Sequence, residues 1–365
     1  MVDYEPKPIK SYYIAYLDIL GYREFFHNYP DKTAEFLQMI HVSIQGTINK
    51  ITGANQSVLA ASIASMNIEV KVFSDNILIC LEELESPFER VRLLAFISMV
   101  AEIQRGFITQ CSLFVRGGIT KGLLSINPDY VFGKGLIDAV KIEETTIYPR
   151  IEIEPNLINT LRTISLYTQE EITQAIEVEQ RIINNREISD EERSFYMRIS
   201  SAIQIETMIL GIVSSMAFLW ADGKWVLSYL YCLDINTFIS PSTKQLLFEM
   251  VKNNFPSDIH FFKANPIDID GVLKRHKEIV ERRLKEYGKT DDIETGDFKA
   301  ADLRERVLKK YIWVMAYHNI ICDFYKKIDY KILTRCNCDP RFLKMQIEVL
   351  EDQVGMQING DQPNT

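Results

Sequence analysis

Asp18 closes the run Tyr12-Tyr13-Ile14-Ala15-Tyr16-Leu17, and Ile19-Leu20-Gly21 follow it. The run has the composition of a buried strand, aromatic, β-branched and aliphatic throughout. A carboxylate at the end of such a strand must be hydrogen-bonded, ion-paired or bound to a cation, because burying it alone is too costly. Asp75 poses the same question. It sits in Ser74-Asp75-Asn76, the tight turn between two strands read from Ile68 to Leu81 (IEVKVFSDNILICL). A β-α-β-β order places the first strand beside that hairpin and brings the two acids together. Two carboxylates and a strand-end backbone carbonyl are hard oxygen donors, suited to Mg²⁺ or Mn²⁺ shared with a triphosphate. Ions held there would lower the pKa of an attacking hydroxyl and neutralise a leaving pyrophosphate. Plainer roles are open too: Asp18 can cap the following helix, and Asp75 can be an ordinary turn former.

Other reactive residue types carry weaker signals. His318 and Cys322 lie four apart on a helical segment, and Cys336-x-Cys338 follows. The first pair has ligand geometry for zinc, yet neither half has a standard spacing, so metal binding by the four stays open. Gly133-Lys134-Gly135 lacks the frame of a phosphate-binding loop. The basic residues from Arg275 to Arg283 alternate with Glu278 and Glu281, as on a solvated helix face. No Ser-His-Asp arrangement stands out.

The elements that must position Asp18 and Asp75 are legible in outline. A helix is predicted from Tyr22 to Ile51, with Phe25, Phe36, Leu37, Ile40, Ile44 and Ile48 near helical spacing. Ser86-Pro87-Phe88-Glu89 reads as a capping box opening a helix to Thr109. A strand is predicted over Leu113–Leu124, whose Gly117-Gly118 pair permits close backbone approach, and a short one at Tyr130–Phe132. Gly133 begins a helix to Thr146, and Arg150–Glu154 reads as a strand. Residues 155–219 turn helical, with capping boxes at Thr168–Glu171 and Ser189–Glu192. Trp225–Leu233 is one more strand, and 241–354 is helical. The expected class is therefore α+β, a ferredoxin-like β-α-β-β-α-β core with a helical insertion and a helical C-terminal extension. The expected organisation is a catalytic domain at 1–238 with the insertion at 155–220. A helical region at 239–354 and a disordered tail at 355–365 follow.

Bulk properties exclude some functions. A formal charge of −9 in 365 residues argues against nonspecific binding to nucleic acid or anionic membrane. The longest uncharged run, Thr207–Ala221, is too short to span a bilayer and reads as a buried helix. The amino-terminal residues are charged and carry no apolar signal segment. Six scattered cysteines show no disulfide framework, so a cytoplasmic protein with reduced thiols is expected.

The segments YLDILG, KVFSDNIL, FVRGGITKG and VFGKGLIDAVKIEE resemble, in order and spacing, the catalytic core of class III nucleotidyl cyclases. Within that family they look most like the pyrimidine cyclases of Pycsar anti-phage defence systems, which share the YLDxLG and FSDN wording and a helical C-terminal half. The resemblance covers residue 12 to about residue 150 well and 225 to 330 more loosely. It implies that Asp18 and Asp75 bind two Mn²⁺ or Mg²⁺ ions, with the Ile19 carbonyl completing the shell. Arg116 would contact phosphate or pair with a nearby acid, and Lys141 would stabilise the transition state. Lys71 and Tyr130 fall at the base-reading positions, and the bulk of Tyr130 fits a smaller base, which favours UTP or CTP. The implied reaction converts that nucleotide to its 3′,5′-cyclic monophosphate plus pyrophosphate, a second messenger in such defence. Family members build their sites between two subunits, which implies a homodimer. Two positions depart from the family helix: Ile137 stands at the usual Asn and Lys141 at the usual Arg. Lys71 also matches an adenine-reading position, so an adenylate cyclase is an alternative. A degenerate fold that senses nucleotide or dimerises is another.

Overall fold

The computed structural model describes residues 8–22, 26–27, 30–52, 67–85, 89–127, 129–163, 168–184, 186–220, 222–230, 268–288 and 298–332. Strand β1 (Lys10–Ile19) precedes a single 3₁₀ turn (Pro30–Lys32) and helix α1 (Thr33–Thr52). The hairpin β2 (Ile68–Phe73) and β3 (Asn76–Glu82) leads to α2 (Glu89–Gly106), which runs into a π turn (Phe107–Cys111). Then come β4 (Val115–Ile126), β5 (Val131–Phe132), α3 (Lys134–Thr145) and β6 (Ile151–Ile153). Helices α4 (Pro155–Arg162), α5 (Gln169–Ile183) and α6 (Asp190–Met216) form the insertion, closed by β7 (Ala217–Leu219) and β8 (Trp225–Leu227). Among the described residues the C-terminal extension contributes the helices α7 (Ile269–Tyr287) and α8 (Phe298–Phe324).

The sheet runs β2-β3-β1-β4-β6-β8-β7, with β5 paired to β4. Its first four strands are mutually antiparallel, which is the split β-α-β-β-α-β order expected of an α+β ferredoxin-like core. The β4–β6 pair is parallel. Alternation along β1 sorts its side chains onto two faces. Tyr13, Ala15, Leu17 and Ile19 join Ile77, Ile79 and Leu81 in a core with Ile40 and Ile44 of α1 and Phe96 and Val100 of α2. Tyr12, Ile14 and Tyr16 lie on the other face with Leu78, Cys80, Leu124 and Ala139 of α3. Asp18 belongs to that second face by register.

Helix α3 lies almost on the backbone of β4. A Cβ on Gly122 would fall 2.5 Å from the Cα of Gly135. One on Gly118 would fall 2.5 Å from the Cβ of Ile142. No side chain fits at either position, so the glycines set how close the helix can come.

Several expected boundaries shift. Tyr22, Phe26 and His27 are helical as expected, but the 3₁₀ turn at Pro30–Lys32 interrupts the predicted helix before α1 begins at Thr33, and Pro30 stands where a residue without an N–H is tolerated. The Trp225 strand ends at Leu227. Beyond it the Leu230 N–H turns to the Tyr317 hydroxyl of α8 at 3.0 Å, so tertiary contacts take the chain out of the sheet. The uncharged run Thr207–Ala221 divides between the end of α6 and β7. No helix among the described residues is long and apolar enough to cross a membrane. Both capping boxes form, at Thr168–Glu171 and Ser189–Glu192. On α7 the charged residues pair locally, Arg275 with Glu278 and Lys277 with Glu281, while His276, Ile279 and Val280 are buried. The capping box at Ser86, the boundary near residue 238, the tail 355–365 and Cys232, Cys336 and Cys338 lie outside the described residues. Among the described residues Cys80, Cys111 and Cys322 are free thiols.

A second core joins the extension to the sheet. Leu273, Ile279 and Val280 of α7 and Ile312, Trp313 and Tyr317 of α8 pack with Trp220, Tyr229 and Phe114.

Candidate active site

Asp18 stands opposite Asn76 on β3 and opposite Arg116 on β4. The next residue, Ile19, donates its N–H to the Asp75 carbonyl at 2.8 Å, fastening the end of β1 to the hairpin turn. That turn has only two loop residues, and Ser74 adopts φ 57 to make it. Asn76 Nδ2 donates to Asp75 Oδ1 at 3.3 Å. The two acids thus occupy neighbouring strand ends, as the β-α-β-β reading requires. The Ile19 side chain is buried in the opposite face, so only its backbone borders this site.

Arg116 is the hub of the cluster. Its Nε donates to Asp18 Oδ2 at 2.8 Å, and Nη1 donates to the Thr146 carbonyl at 3.0 Å. Nη2 lies 2.8 Å from Glu143 Oε1 as a charge contact without hydrogen-bond alignment. The guanidinium fork therefore ties β1, β4 and the end of α3 together. Glu143 is 6% exposed. Burial raises its carboxyl pKa, Arg116 opposes that, and the negative charges of Asp18 and Asp75 add to it. Burial also raises the Tyr16 hydroxyl, with Glu143, Asp18 and Asp75 adding to it. These mutual influences set Tyr16, Asp18, Asp75 and Glu143 in one electrostatic neighbourhood on the α3 face.

The remaining expected residues divide. Lys71 stands opposite Leu78, which stands opposite Tyr16, so it shares the Asp18 face two strands away. Tyr130 does not join Asp18 within the chain. Its N–H bonds Asn127 Oδ1 at 2.7 Å, just past the end of β4, whereas Asp18 pairs with the start of that strand. A strand of this length separates them by on the order of 35 Å. Lys141 is exposed on the outer side of α3, as is Ile137 at 56%. Ala139 and Glu143 take the sheet side.

Glu143 was not singled out from sequence, although a signal existed. It lies one helical turn beyond Ala139, on the buried stripe of α3, where an acid requires a partner. Removing that partner has a measurable consequence. Arg116→Met leaves the Asp18 and Glu143 charges uncompensated and is expected to destabilise the fold by about 3 kcal/mol. Adding Glu143→Gln should restore part of the loss. Urea titration of the two single variants and the double variant reads this coupling, and strict additivity would contradict it.

Of the four zinc candidates only His318 and Cys322 lie among the described residues. His318 Nε2 lies 2.9 Å from the Tyr330 carbonyl and 3.4 Å from Cys322 Sγ. Burial pushes the Cys322 thiol up to about 11. Among the described residues no group of three or more His, Cys, Asp or Glu is poised to hold a metal. At the sheet end the donors are instead two carboxylates and backbone oxygen, and Asp18 uses Oδ2 toward Arg116. In kind, such a set fits a hard divalent cation completed by substrate oxygens.

No family model matches the sequence, and no curated protein matches it. Among solved structures, the adenylyl cyclase CyaB from P. aeruginosa is similar at 14% identity and a TM-score of 0.32, over 43% of this chain and 83% of that one. The guanylyl cyclase Cya2 is similar at 14% identity and a TM-score of 0.27, over 42% and 80%. A class III adenylyl cyclase-like ATP-binding protein from Pseudomonas aeruginosa is similar at 10% identity and a TM-score of 0.31, over 44% and 37%.

Proposed function

We propose that this chain is a nucleotidyl cyclase acting on a pyrimidine nucleoside triphosphate, UTP or CTP, as a homodimer. The supporting observation is the meeting of Asp18 and Asp75 at neighbouring strand ends, fastened by the Ile19–Asp75 backbone bond. In this reading Asp18, Asp75 and the Ile19 carbonyl hold Mn²⁺ or Mg²⁺. A divalent ion there would lower the pKa of the 3′-hydroxyl and neutralise the departing pyrophosphate. The 3′-oxygen bonds to the α-phosphorus as the bond to pyrophosphate breaks. Arg116 fixes the orientation of Asp18, and its own charge is spent on the neighbouring acids rather than on phosphate. Tyr130 and Lys141 would come from the partner subunit, which suits their distance from Asp18 and the exposure of Lys141 and Ile137. Lys71, the other base-reading residue, would likewise be supplied across the dimer, to the partner's metal site. The pyrimidine preference rests on Tyr130, and the anti-phage signalling role rests on the resemblance alone.

Incubation with Mn²⁺ and each of the four nucleoside triphosphates tests the proposal. The expected products are a cyclic pyrimidine mononucleotide and pyrophosphate from UTP or CTP. Turnover of ATP alone would move the assignment to an adenylate cyclase, which Lys71 permits. Binding without turnover of any nucleotide would favour a sensing or dimerisation module. The outward placement of Lys141, together with Ile137 in place of the usual Asn, is the observation on that side.

A further inference from the structure

We infer that Lys310 of α8 is a ligand for the polyphosphate of a nucleoside triphosphate bound at the Asp18–Asp75 end of the sheet. The C-terminal extension would thereby complete the site in the same chain, and the inference rests on the nucleotide reading above. Tyr311, the next residue on α8, packs edge-on against Phe114 with ring centroids 5.6 Å apart. Phe114 directly precedes β4, and its carbonyl accepts the Leu20 N–H at 2.9 Å. Leu20, two residues past Asp18, packs on the cluster that contains Leu308 and Ile312. Helix α8 is therefore docked where β1 ends and β4 begins, the ends that carry Asp18 and Arg116. Lys310 lies near enough to feel the charges of Arg116, Asp18, Arg306 and Glu143.

Two features make Lys310 a ligand rather than a strut. It is half-buried, and among the described residues it forms no ion pair. A partly buried ammonium without a fixed counter-ion pays a desolvation penalty that an arriving anion removes. Arg116, which stands at the same strand end, already serves Asp18, Glu143 and the Thr146 carbonyl. A lysine ammonium is a compact donor that suits a phosphate oxygen without demanding a fork geometry.

Calorimetric binding of α,β-methylene-UTP, which cannot be cyclised, and of UMP to the full chain in Mg²⁺ tests this. Lys310→Met is expected to weaken the triphosphate analogue about tenfold or more while leaving UMP unchanged. Lys310→Arg should retain most of the affinity. Unchanged analogue binding in Lys310→Met, or an equal loss for analogue and monophosphate, overturns the assignment. In the first case a loss in Asp75→Asn would leave the nucleotide reading standing. If the folded wild-type protein binds neither the uridine analogue nor its cytidine counterpart, the nucleotide reading fails and the Lys310 assignment falls with it. Urea melts of Lys310→Met confirm that the variant folds, since Met preserves the buried stem.

Discussion

Asp75→Asn and Asp18→Asn are each expected to lower nucleotide turnover about a thousandfold or more, because each neutralises one of two carboxylates assigned to the cation. The two variants should differ in stability. Asp75 sits in a two-residue turn and its carboxylate is met by Asn76, so the amide is tolerated there. Asp18 accepts the Arg116 Nε bond, and its neutralisation weakens a charge-assisted contact as well. Asp75→Asn should therefore fold like the wild type in circular dichroism and urea melts, while its turnover collapses. Turnover within about threefold of wild type in Asp75→Asn would remove the catalytic proposal, since the loss of one of two ion-holding carboxylates is worth far more.

The second large effect belongs to the C-terminal core, where His276 and His318 stack with ring centroids 5.0 Å apart. Their Nδ1 atoms are 3.1 Å apart, so one must donate and the other accept. The direction follows from the ends of the chain. His318 Nε2 faces the Tyr330 carbonyl, which can only accept, so that nitrogen carries its hydrogen. His318 Nδ1 is then bare, His276 Nδ1 donates to it, and His276 Nε2 accepts from the Tyr229 hydroxyl at 3.0 Å. Every bond is satisfied with both rings neutral. A proton on His318 Nδ1 would set two N–H groups against each other, and one on His276 would bury a charge with no counter-ion. Burial holds the His276 pKa well below 6.5, with His318 adding to the effect. His318 is lowered as well, first by burial.

The folded histidines thus bind protons less readily than the unfolded ones. Their contribution to stability is complete above the unfolded pKa, 6.5, and is lost as the pH falls below it. Each neutral histidine adds roughly 1.4 kcal/mol of lost stability per pH unit in that window. Urea melts at pH 7.5 and 5.5 should therefore differ by about 3 kcal/mol for the two histidines together. The double variant His276→Phe, His318→Leu should show a flatter dependence, although it is less stable at pH 7.5. A wild-type profile as flat as the double variant's would contradict the neutral pair. The consequence reaches the candidate site, because the His276 ring meets Phe114 edge-on at 5.9 Å and Phe114 adjoins β4. Acid loosening of the extension would withdraw α8 from the sheet end.

Much of this molecule is local in origin. The apolar run ending in Asp18, the Ser-Asp-Asn turn and the order of strand and helix signals suffice for the antiparallel β2-β3-β1-β4 core, because strand composition and turn chemistry act over a few residues. They also suffice to bring Asp18 and Asp75 together, since a two-residue hairpin beside β1 leaves them no other place. The Thr168 and Ser189 capping boxes were readable for the same reason. What the chain order alone left open depends on contacts between distant segments. Arg116 could have met phosphate or an acid, and only the seating of α3 on Gly118 and Gly122 put Glu143 against it. The Trp225 strand stopped early because Tyr317 took the Leu230 N–H. His318 met a histidine on another helix, His276, which its own sequence neighbourhood did not announce. Helix α8 came to the end of β1 and the start of β4 because Tyr311 and Phe114 pack together. Charge partners of this sort are chosen by burial, which forces polar groups to pair with whatever the packing brings near, and packing is a property of the assembled fold.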